Sequence, residues 1–232
     1  MKKGSLKRWL APVAALWFLQ GMLAAPLWAA TVQEVVNKYK QKVEAKLEPR
    51  FRYFQAAWPP KEIVLLAIKE ARNLELWVKD GERWVHVYDY PIRALSGVLG
   101  PKLKQGDKQV PEGFYRIDKL NPNSNFHLSM ELNYPNLYDR IQAGRDDRDN
   151  LGGDIFIHGN EVSTGCLAMG DNAIEDLFVL TAMVGLGNTQ VIIAPRDFRS
   201  KPVEKIDDKT PEWVLELHQG IAKNMELFKA VN

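Results

Sequence analysis

The segment from Ile63 to Tyr88 constrains the fold most, because its apolar residues recur with the period of β-strands. Ile63–Ile68 is a nearly continuous apolar run, and apolar or aromatic residues then occupy every second position of 74–78 and 84–88. Asp80-Gly81 separates the last two segments, and this dipeptide is typical of a tight hairpin turn. We therefore predict an antiparallel β-meander. Similar patterns predict four later strands, at 114–120, 126–132, 154–158 and 190–194.

Other segments predict a smaller helical part. Apolar residues of Thr31–Leu47 recur with helical spacing, and residues 211–231 form an amphipathic pattern near the C-terminus. Asn172 opens an internal helix, with Glu175 three residues later as a capping-box partner. The charged stretch from Tyr134 to Leu151 lacks a clear period, which predicts a long loop. The predicted fold class is mainly β, with one internal helix and a helix at each end.

The N-terminus has the three parts of a secretory signal peptide. Four basic residues lie within the first eight positions, an apolar run follows from Leu10 to about Leu23, and small residues precede a cleavage site near Ala29. A retained membrane anchor is the alternative, but the run is shorter than the ~20 residues that span a bilayer. No cysteine follows the run, which argues against a lipoprotein anchor. We therefore predict an exported protein.

Charge and composition argue against nucleic-acid binding and against a metal site. The chain carries a formal net charge of +2, and removal of the basic leader would bring it to about −2. A near-neutral chain lacks the basic face that bulk nucleic-acid binding needs. Four histidines and one cysteine show no paired-ligand spacing, so the sequence predicts neither a metal site nor a nucleic-acid partner.

The single cysteine lies in the stretch FIHGNEVSTGCLAMGD, where Cys166 follows His158 by eight residues. A nearby imidazole can take the proton of a thiol and leave a nucleophilic thiolate. We expect Cys166 near the start of the following helix, whose N-terminus would favour a thiolate. Gly165 permits close backbone approach, so N–H groups there are candidates for an oxyanion hole. The pattern favours a cysteine acyl-transfer enzyme; the alternative is an inert core cysteine that never meets the histidine.

The same stretch resembles the L,D-transpeptidase catalytic domain, the YkuD-type family of peptidoglycan enzymes. Members carry a histidine-glycine pair, here at 158–159, followed by a serine-x-glycine-cysteine motif, here at 163–166. The segments LGPKLKQGDKQVPEGFYRI at 99–117 and YPNLYDR at 134–140 are also similar to the family. Many members have an arginine two residues after the cysteine, where this chain has Ala168. That departure, and a short histidine-to-cysteine spacing, resemble the YafK-like branch.

The resemblance implies the chemistry. Cys166 attacks the L-centre carbonyl of meso-diaminopimelate in a peptidoglycan stem peptide, and His158 transfers the protons. N–H groups at Gly165 and Cys166 hold the oxyanion, and no cofactor or metal is required. The enzyme would be periplasmic. The acyl group passes to a second stem peptide, to a protein lysine or to water, so a transpeptidase and a hydrolase both remain open. The hydrolase would be an L,D-carboxypeptidase or an amidase that releases an outer-membrane lipoprotein.

A non-catalytic wall-binding module on the same fold is a third reading, and it has no need to retain both His158 and Cys166. The stem peptide carries carboxylates, and with alanine after the motif the candidate cations are Arg140 and Lys102. Tyr134 and Gly159 complete the predicted substrate-binding set. Ser163 either orients His158 or is an ordinary turn serine.

The predicted organisation has four parts in chain order. They are a signal peptide at 1–29, an N-terminal helical segment at 30–58, an L,D-transpeptidase catalytic domain with a YkuD-type β-sandwich at 59–197, and a C-terminal helical extension at 198–232.

Overall fold

A computed structural model describes residues 29–207 and 210–229, so the predicted signal peptide, except for Ala29, lies outside the described residues. The described part contains eight β-strands and four α-helices, which confirms the prediction of a mainly β fold. The strands are β1 (Ile63–Ile68), β2 (Asn73–Asp80), β3 (Arg83–Pro91), β4 (Gly113–Ser124), β5 (His127–Leu132), β6 (Phe156–His158), β7 (Leu167–Ala168) and β8 (Thr189–Ala194). The α-helices are α1 (Val32–Tyr53), α2 (Leu137–Arg145), α3 (Asp171–Val184) and α4 (Trp213–Met225), and a short 3-10 helix covers Leu186–Asn188.

The strands follow the order β3-β2-β1-β8-β4-β5-β6-β7. β1, β2 and β3 form the predicted antiparallel meander, whereas β1 pairs with β8 and β6 pairs with β7 in parallel. β4 belongs to two halves of the sheet: residues 113–116 pair with β8 and residues 117–124 pair with β5. A register shift after Ile117 separates the two pairings, and such irregularities bend a strand.

The central strand β1 is buried on both faces, because its six apolar residues alternate between two hydrophobic cores. Ile63, Leu65 and Ala67 join the larger core with residues of α1 and α3. The intervening residues of β1 join a second core with Val214, Leu217 and other residues of α4. A continuous apolar run, rather than strict alternation with polar residues, is the pattern expected for a strand covered on both faces.

The N-terminal helix α1 is joined to α3 by packing and by charge. Thr31 caps it in a capping box with Glu34, and the helix ends at Tyr53, six residues beyond the predicted end. Lys42 Nζ lies 2.5 Å from Glu175 Oε2, and Lys46 pairs with Asp176. Within the two described ranges, no helix combines the length and apolarity that a bilayer crossing requires.

The loop predicted for 134–151 is wrong, because α2 forms there. Asn136 and Asp139 form a reciprocal capping box at its N-terminus. Most of α2 is solvent-exposed, so it needs no apolar stripe, and its mixed charged sequence gave no helical period. The described residues therefore contain two internal α-helices instead of the one predicted.

The predicted cap of the next helix is also wrong. α3 begins at Asp171 after Gly170, with no side-chain capping bond. Glu175 instead pairs with Lys42 of α1, and its Oε1 lies 2.8 Å from His127 Nε2. The tertiary ion pair therefore replaces the local capping interaction at this glutamate.

Candidate active site

β6 and β7 place His158 and Cys166 on one face of the sheet. In their parallel ladder Ile157 pairs with Leu167, and both point into the larger core. Because successive residues of a strand face opposite sides, His158 points away from that core, and so does Cys166 immediately before β7. Strand spacing and rise put the two Cα atoms about 8 Å apart.

The His158 ring is neutral and oriented as a proton acceptor. The imidazole is buried, and Nδ1 lies 2.6 Å from the Gly159 carbonyl oxygen. A carbonyl only accepts, so Nδ1 carries the hydrogen and Nε2 keeps its lone pair. The Phe126 ring packs on the imidazole with centroids 4.6 Å apart. Burial lowers the pKa of His158, which keeps Nε2 free to accept a proton at neutral pH.

The Cys166 thiol is partly buried and rests as the neutral form. Its Sγ lies 3.7 Å from the Asp154 carbonyl oxygen. Burial raises the pKa of Cys166, although the Phe156 backbone N–H and the charge of Lys102 act in the opposite direction. Among the described residues the thiol makes no hydrogen bond to His158, so a transfer of its proton to Nε2 would require it to turn away from the Asp154 carbonyl.

The expected position of Cys166 at a helix N-terminus is wrong. β7 follows the cysteine directly, and α3 begins only at Asp171. The field of a helix terminus acts within its first turn, so it does not stabilise a thiolate here. The groups that favour a thiolate at this position are instead the Phe156 N–H and the charge of Lys102.

Ser96 and Ser163 engage the backbone N–H groups that the resemblance assigns to the oxyanion. The Gly165 N–H donates to Ser96 Oγ at 2.6 Å, and the Cys166 N–H donates to Ser163 Oγ at 3.1 Å. The Ser163 hydroxyl donates to the Cys166 carbonyl at 2.6 Å. Ser163 thus fixes the turn at the cysteine, and among the described residues it makes no hydrogen bond to His158.

Gly159 is a packing position rather than an open surface. A Cβ atom there would lie 2.7 Å from Asp171 Oδ1 and 2.7 Å from the Phe126 carbonyl oxygen. Asp171 also accepts from the Asn160 N–H at 2.8 Å. The first residue of α3 therefore anchors the return loop, and the Gly159 carbonyl sets the tautomer of His158.

The other predicted substrate-binding residues lie in two places. Arg140 is exposed on α2, bonds the Pro135 carbonyl, and lines an open groove of about 730 Å³ together with Tyr134. Tyr134 is otherwise buried, and its hydroxyl donates to the Leu151 carbonyl at 3.2 Å. Lys102 is buried near Cys166, where its ammonium pairs with Asp107 at 2.6 Å. Arg140 is thus the more available cation.

Sequence reasoning missed three residues of this site: Ser96, Phe126 and Asp154. Ser96 lies 69 residues before its partner Gly165, so no local pattern connects them. Phe126 and Asp154 act through a ring face and a backbone carbonyl, and neither is a recognisable motif. Among the described residues, no group of three or more histidine, cysteine, aspartate or glutamate side chains could hold a metal ion.

Comparison with known proteins gives the family. The sequence model described as L,D-transpeptidase catalytic domain, YkuD, matches residues 62–193, more than half of the chain. The chain belongs to this family. The protein named "Putative L,D-transpeptidase YafK" of Escherichia coli (strain K12) is 38% identical over 138 residues, which are 57% of this chain and 54% of the relative. The chain therefore spans about half the length of the curated relatives it matches.

Solved structures from two other bacteria are similar in part. The helical cell shape determining protein Pgp2 (K307A mutant) from Campylobacter jejuni is 21% identical, with a TM-score of 0.49, and the match covers 73% of this chain and 56% of that one. Bd1075 of Bdellovibrio bacteriovorus is 22% identical, with a TM-score of 0.43, and the match covers 73% of this chain and 57% of that one.

We expect the thiol of the free protein to react slowly with iodoacetamide at neutral pH. The raised pKa of Cys166 leaves less thiolate than an exposed cysteine has, and the rate should rise as pH increases through that pKa. The chain has a single cysteine, so the same protein in denaturant is the matched control. A rapid rate that persists into mildly acidic solution would instead indicate a resting thiolate–imidazolium pair.

Proposed function

We propose that this protein is a periplasmic L,D-transpeptidase that acts on peptidoglycan stem peptides through a Cys166 acyl-enzyme. The observation that carries the proposal is that a neutral, oriented His158 lies on the same face of the sheet as Cys166, with their Cα atoms about 8 Å apart. An inert core cysteine would not need a histidine fixed in the tautomer that accepts a proton. A wall-binding module would need neither group.

In the acylation step, Cys166 Sγ attacks the L-centre carbonyl carbon of meso-diaminopimelate. The thiol proton passes to His158 Nε2, and the Gly159 carbonyl stabilises the imidazolium through Nδ1–H. The tetrahedral intermediate collapses when the amide C–N bond breaks. His158 returns its proton to the leaving nitrogen, so D-alanine departs as an amine and a thioester remains on Cys166.

The N–H groups of Gly165 and Cys166 support the same step. Each now donates to a serine hydroxyl, and the hydroxyls occupy the acceptor positions that an oxyanion would take. Rotation of Ser96 and Ser163 would release both donors toward the developing charge. Preorganised donors of this kind typically supply a large share of acyl-transfer catalysis.

A hydrolase on the same acyl-enzyme is the second candidate. Ala168 is fully buried and pairs with Ala94 and His158, so it offers no cation to an incoming stem peptide. A weakly held acceptor would leave the thioester to water. The enzyme would then trim D-alanine, or detach an outer-membrane lipoprotein bound through lysine.

Mass spectrometry of the wall products tests these alternatives. The protein without residues 1–29 and its Cys166→Ala variant would be incubated with sacculi that carry bound lipoprotein. Dimers linked between two diaminopimelate residues, formed only with Cys166, would establish transpeptidation. Loss of D-alanine or lipoprotein without dimers would establish hydrolysis. Identical products from both proteins would refute the cysteine mechanism.

We expect Arg140→Ala to raise the half-saturating concentration of the acceptor stem peptide about 10-fold, the effect of losing one charged hydrogen bond. Its guanidinium lines the open groove and is available to a carboxylate. Arg145→Ala is the matched control, because this arginine lies on the same helix but bonds Gln142 at 3.3 Å. Equal effects of the two substitutions would place the carboxylate anchor elsewhere.

A further inference from the structure

The open groove beside α2 includes Glu131, which lies in the same cross-strand row of side chains as Cys166. Glu131 of β5 pairs with Phe156 of β6, and Phe156 neighbours Cys166 across the parallel ladder. Alternation places these three residues on one face, and all three are partly exposed. Antiparallel and parallel strand spacings put the Cα atoms of Glu131 and Cys166 about 9 Å apart.

The Glu131 carboxylate has no structural partner among the described residues. It lines the groove, and it makes no hydrogen bond or ion pair with the residues that the structure describes. The other carboxylate in the groove, Asp118, pairs with Arg116 at 2.9 Å. Glu131 is therefore the carboxylate of this groove that is available to a ligand.

The acidic and basic side chains of the groove lie at different distances from Cys166. Glu131 lies nearest to Cys166, whereas Arg116 lies farther along, beside Asn133, whose N–H donates to the Arg116 carbonyl at 3.1 Å. Arg140 projects from α2 into the same groove. A ligand that fits this arrangement carries an ammonium group toward the thiol and a carboxylate away from it.

We propose that this groove is the acyl-acceptor site, in which Glu131 binds the ammonium of the acceptor and Arg140 binds its neighbouring carboxylate. The ligand class is a primary amine with a nearby carboxylate, the pattern of an amino-acid centre. This inference rests on the proposed function, since it requires a thioester on Cys166. Glu131 favours a charged amine over water, and so it directs the thioester toward transfer.

The transfer step balances with the groups present. The acceptor ammonium first loses one proton to solvent beside Glu131. Its nitrogen then attacks the thioester carbon, the C–S bond breaks, and an amide C–N bond forms. The second proton passes through His158 to the leaving sulfur, which restores the Cys166 thiol.

The test measures how the acyl-enzyme partitions. The enzyme without residues 1–29 would receive a tetrapeptide muropeptide with either a D-amino acid or hydroxylamine as acceptor. Hydroxylamine is uncharged at neutral pH, so it reports the thioester without needing an ammonium site. We expect Glu131→Gln to lower the ratio of amine transfer to hydrolysis about 10-fold, as one charged hydrogen bond predicts, with the hydroxamate-to-hydrolysis ratio unchanged.

Glu82→Gln is the control, because it removes the same charge at the distant, exposed turn between β2 and β3. Equal transfer ratios in the wild type and Glu131→Gln would overturn the inference and leave the cysteine enzyme intact. A wild type that forms hydroxamate but transfers to no amine would also overturn it. Absence of a Cys166-dependent hydroxamate would instead refute the proposed function.

Discussion

The Cys166→Ala variant is expected to release D-alanine at least about 10⁴-fold more slowly than the wild type, because removal of a covalent nucleophile eliminates the acyl-enzyme path. His158→Ala should retain a thioester but form it about 10² to 10⁴-fold more slowly, the usual contribution of a general base. Intact-protein mass spectrometry separates the two outcomes, since the acyl adduct should accumulate slowly in one variant and never in the other.

The pH profile provides a second readout of His158. Burial lowers its pKa, so the imidazole stays an active base to lower pH than an ordinary histidine would. The wild-type acylation rate should therefore fall only when the pH drops below the lowered pKa of His158. In His158→Ala this decrease at acidic pH should disappear. His86→Ala is the control, because His86 lies on β3 and contacts Asp89. An unchanged acidic limb in His158→Ala would show that another group is the base.

The Glu112→Gln variant should lose about 3 to 5 kcal/mol of unfolding free energy, the cost of leaving a buried charge without its partner. Lys69 Nζ lies 2.8 Å from Glu112 Oε1, and both side chains are almost completely buried. The opposite carboxylate oxygen accepts from His218 Nε2 of α4 at 2.7 Å. The substitution removes the negative charge and leaves the buried Lys69 amine without its charged partner.

Denaturant unfolding measures this loss. Glu44→Gln is the matched control, because it breaks a partly exposed ion pair with Lys40 on the surface of α1, where such pairs contribute at most about 1 kcal/mol. Similar losses for the two variants would mean that the buried cluster adds no stability beyond a surface pair. His218→Ala should cost less than Glu112→Gln, because the Lys69–Glu112 pair remains.

The buried cluster also connects α4 to the wall of the candidate site. Lys69 donates to the carbonyls of Gly100 and Val110, and Glu112 accepts from the Gly100 N–H at 2.7 Å. The same loop, between β3 and β4, contains Ser96, whose hydroxyl oxygen accepts from the Gly165 N–H. The C-terminal helix therefore stabilises the loop that contacts the cysteine turn.

Periodicity was sufficient to predict the meander and the N-terminal helix. β1 is continuously apolar because both faces are covered, and α1 has its apolar stripe on α3 and the sheet. The same reasoning failed for α2, which is exposed, and for Glu175, which prefers Lys42 to a local cap. Both outcomes depend on contacts between residues that are distant in the chain, and a single sequence does not show which residues meet.

The site was predictable only as far as its linear motif extends. His158 and Cys166 lie close in sequence, so their pairing could be proposed from spacing and chemistry. Glu131 could not, because its place beside Cys166 depends on the register of three strands. Ser96 depends similarly on a loop far away in the chain.

The parallel strands β6 and β7 are joined by only eight residues, 159–166, although parallel neighbours usually need a crossover of a dozen or more. A one-residue slip of β7 would turn Cys166 toward the core and Leu167 toward the groove. Insertions or deletions in the segment 159–166 must therefore be absorbed at the exposed residues Glu161 and Val162, so that the pairing of β6 with β7 is unchanged. Residues added there would leave the distance between the thiol and the imidazole unchanged.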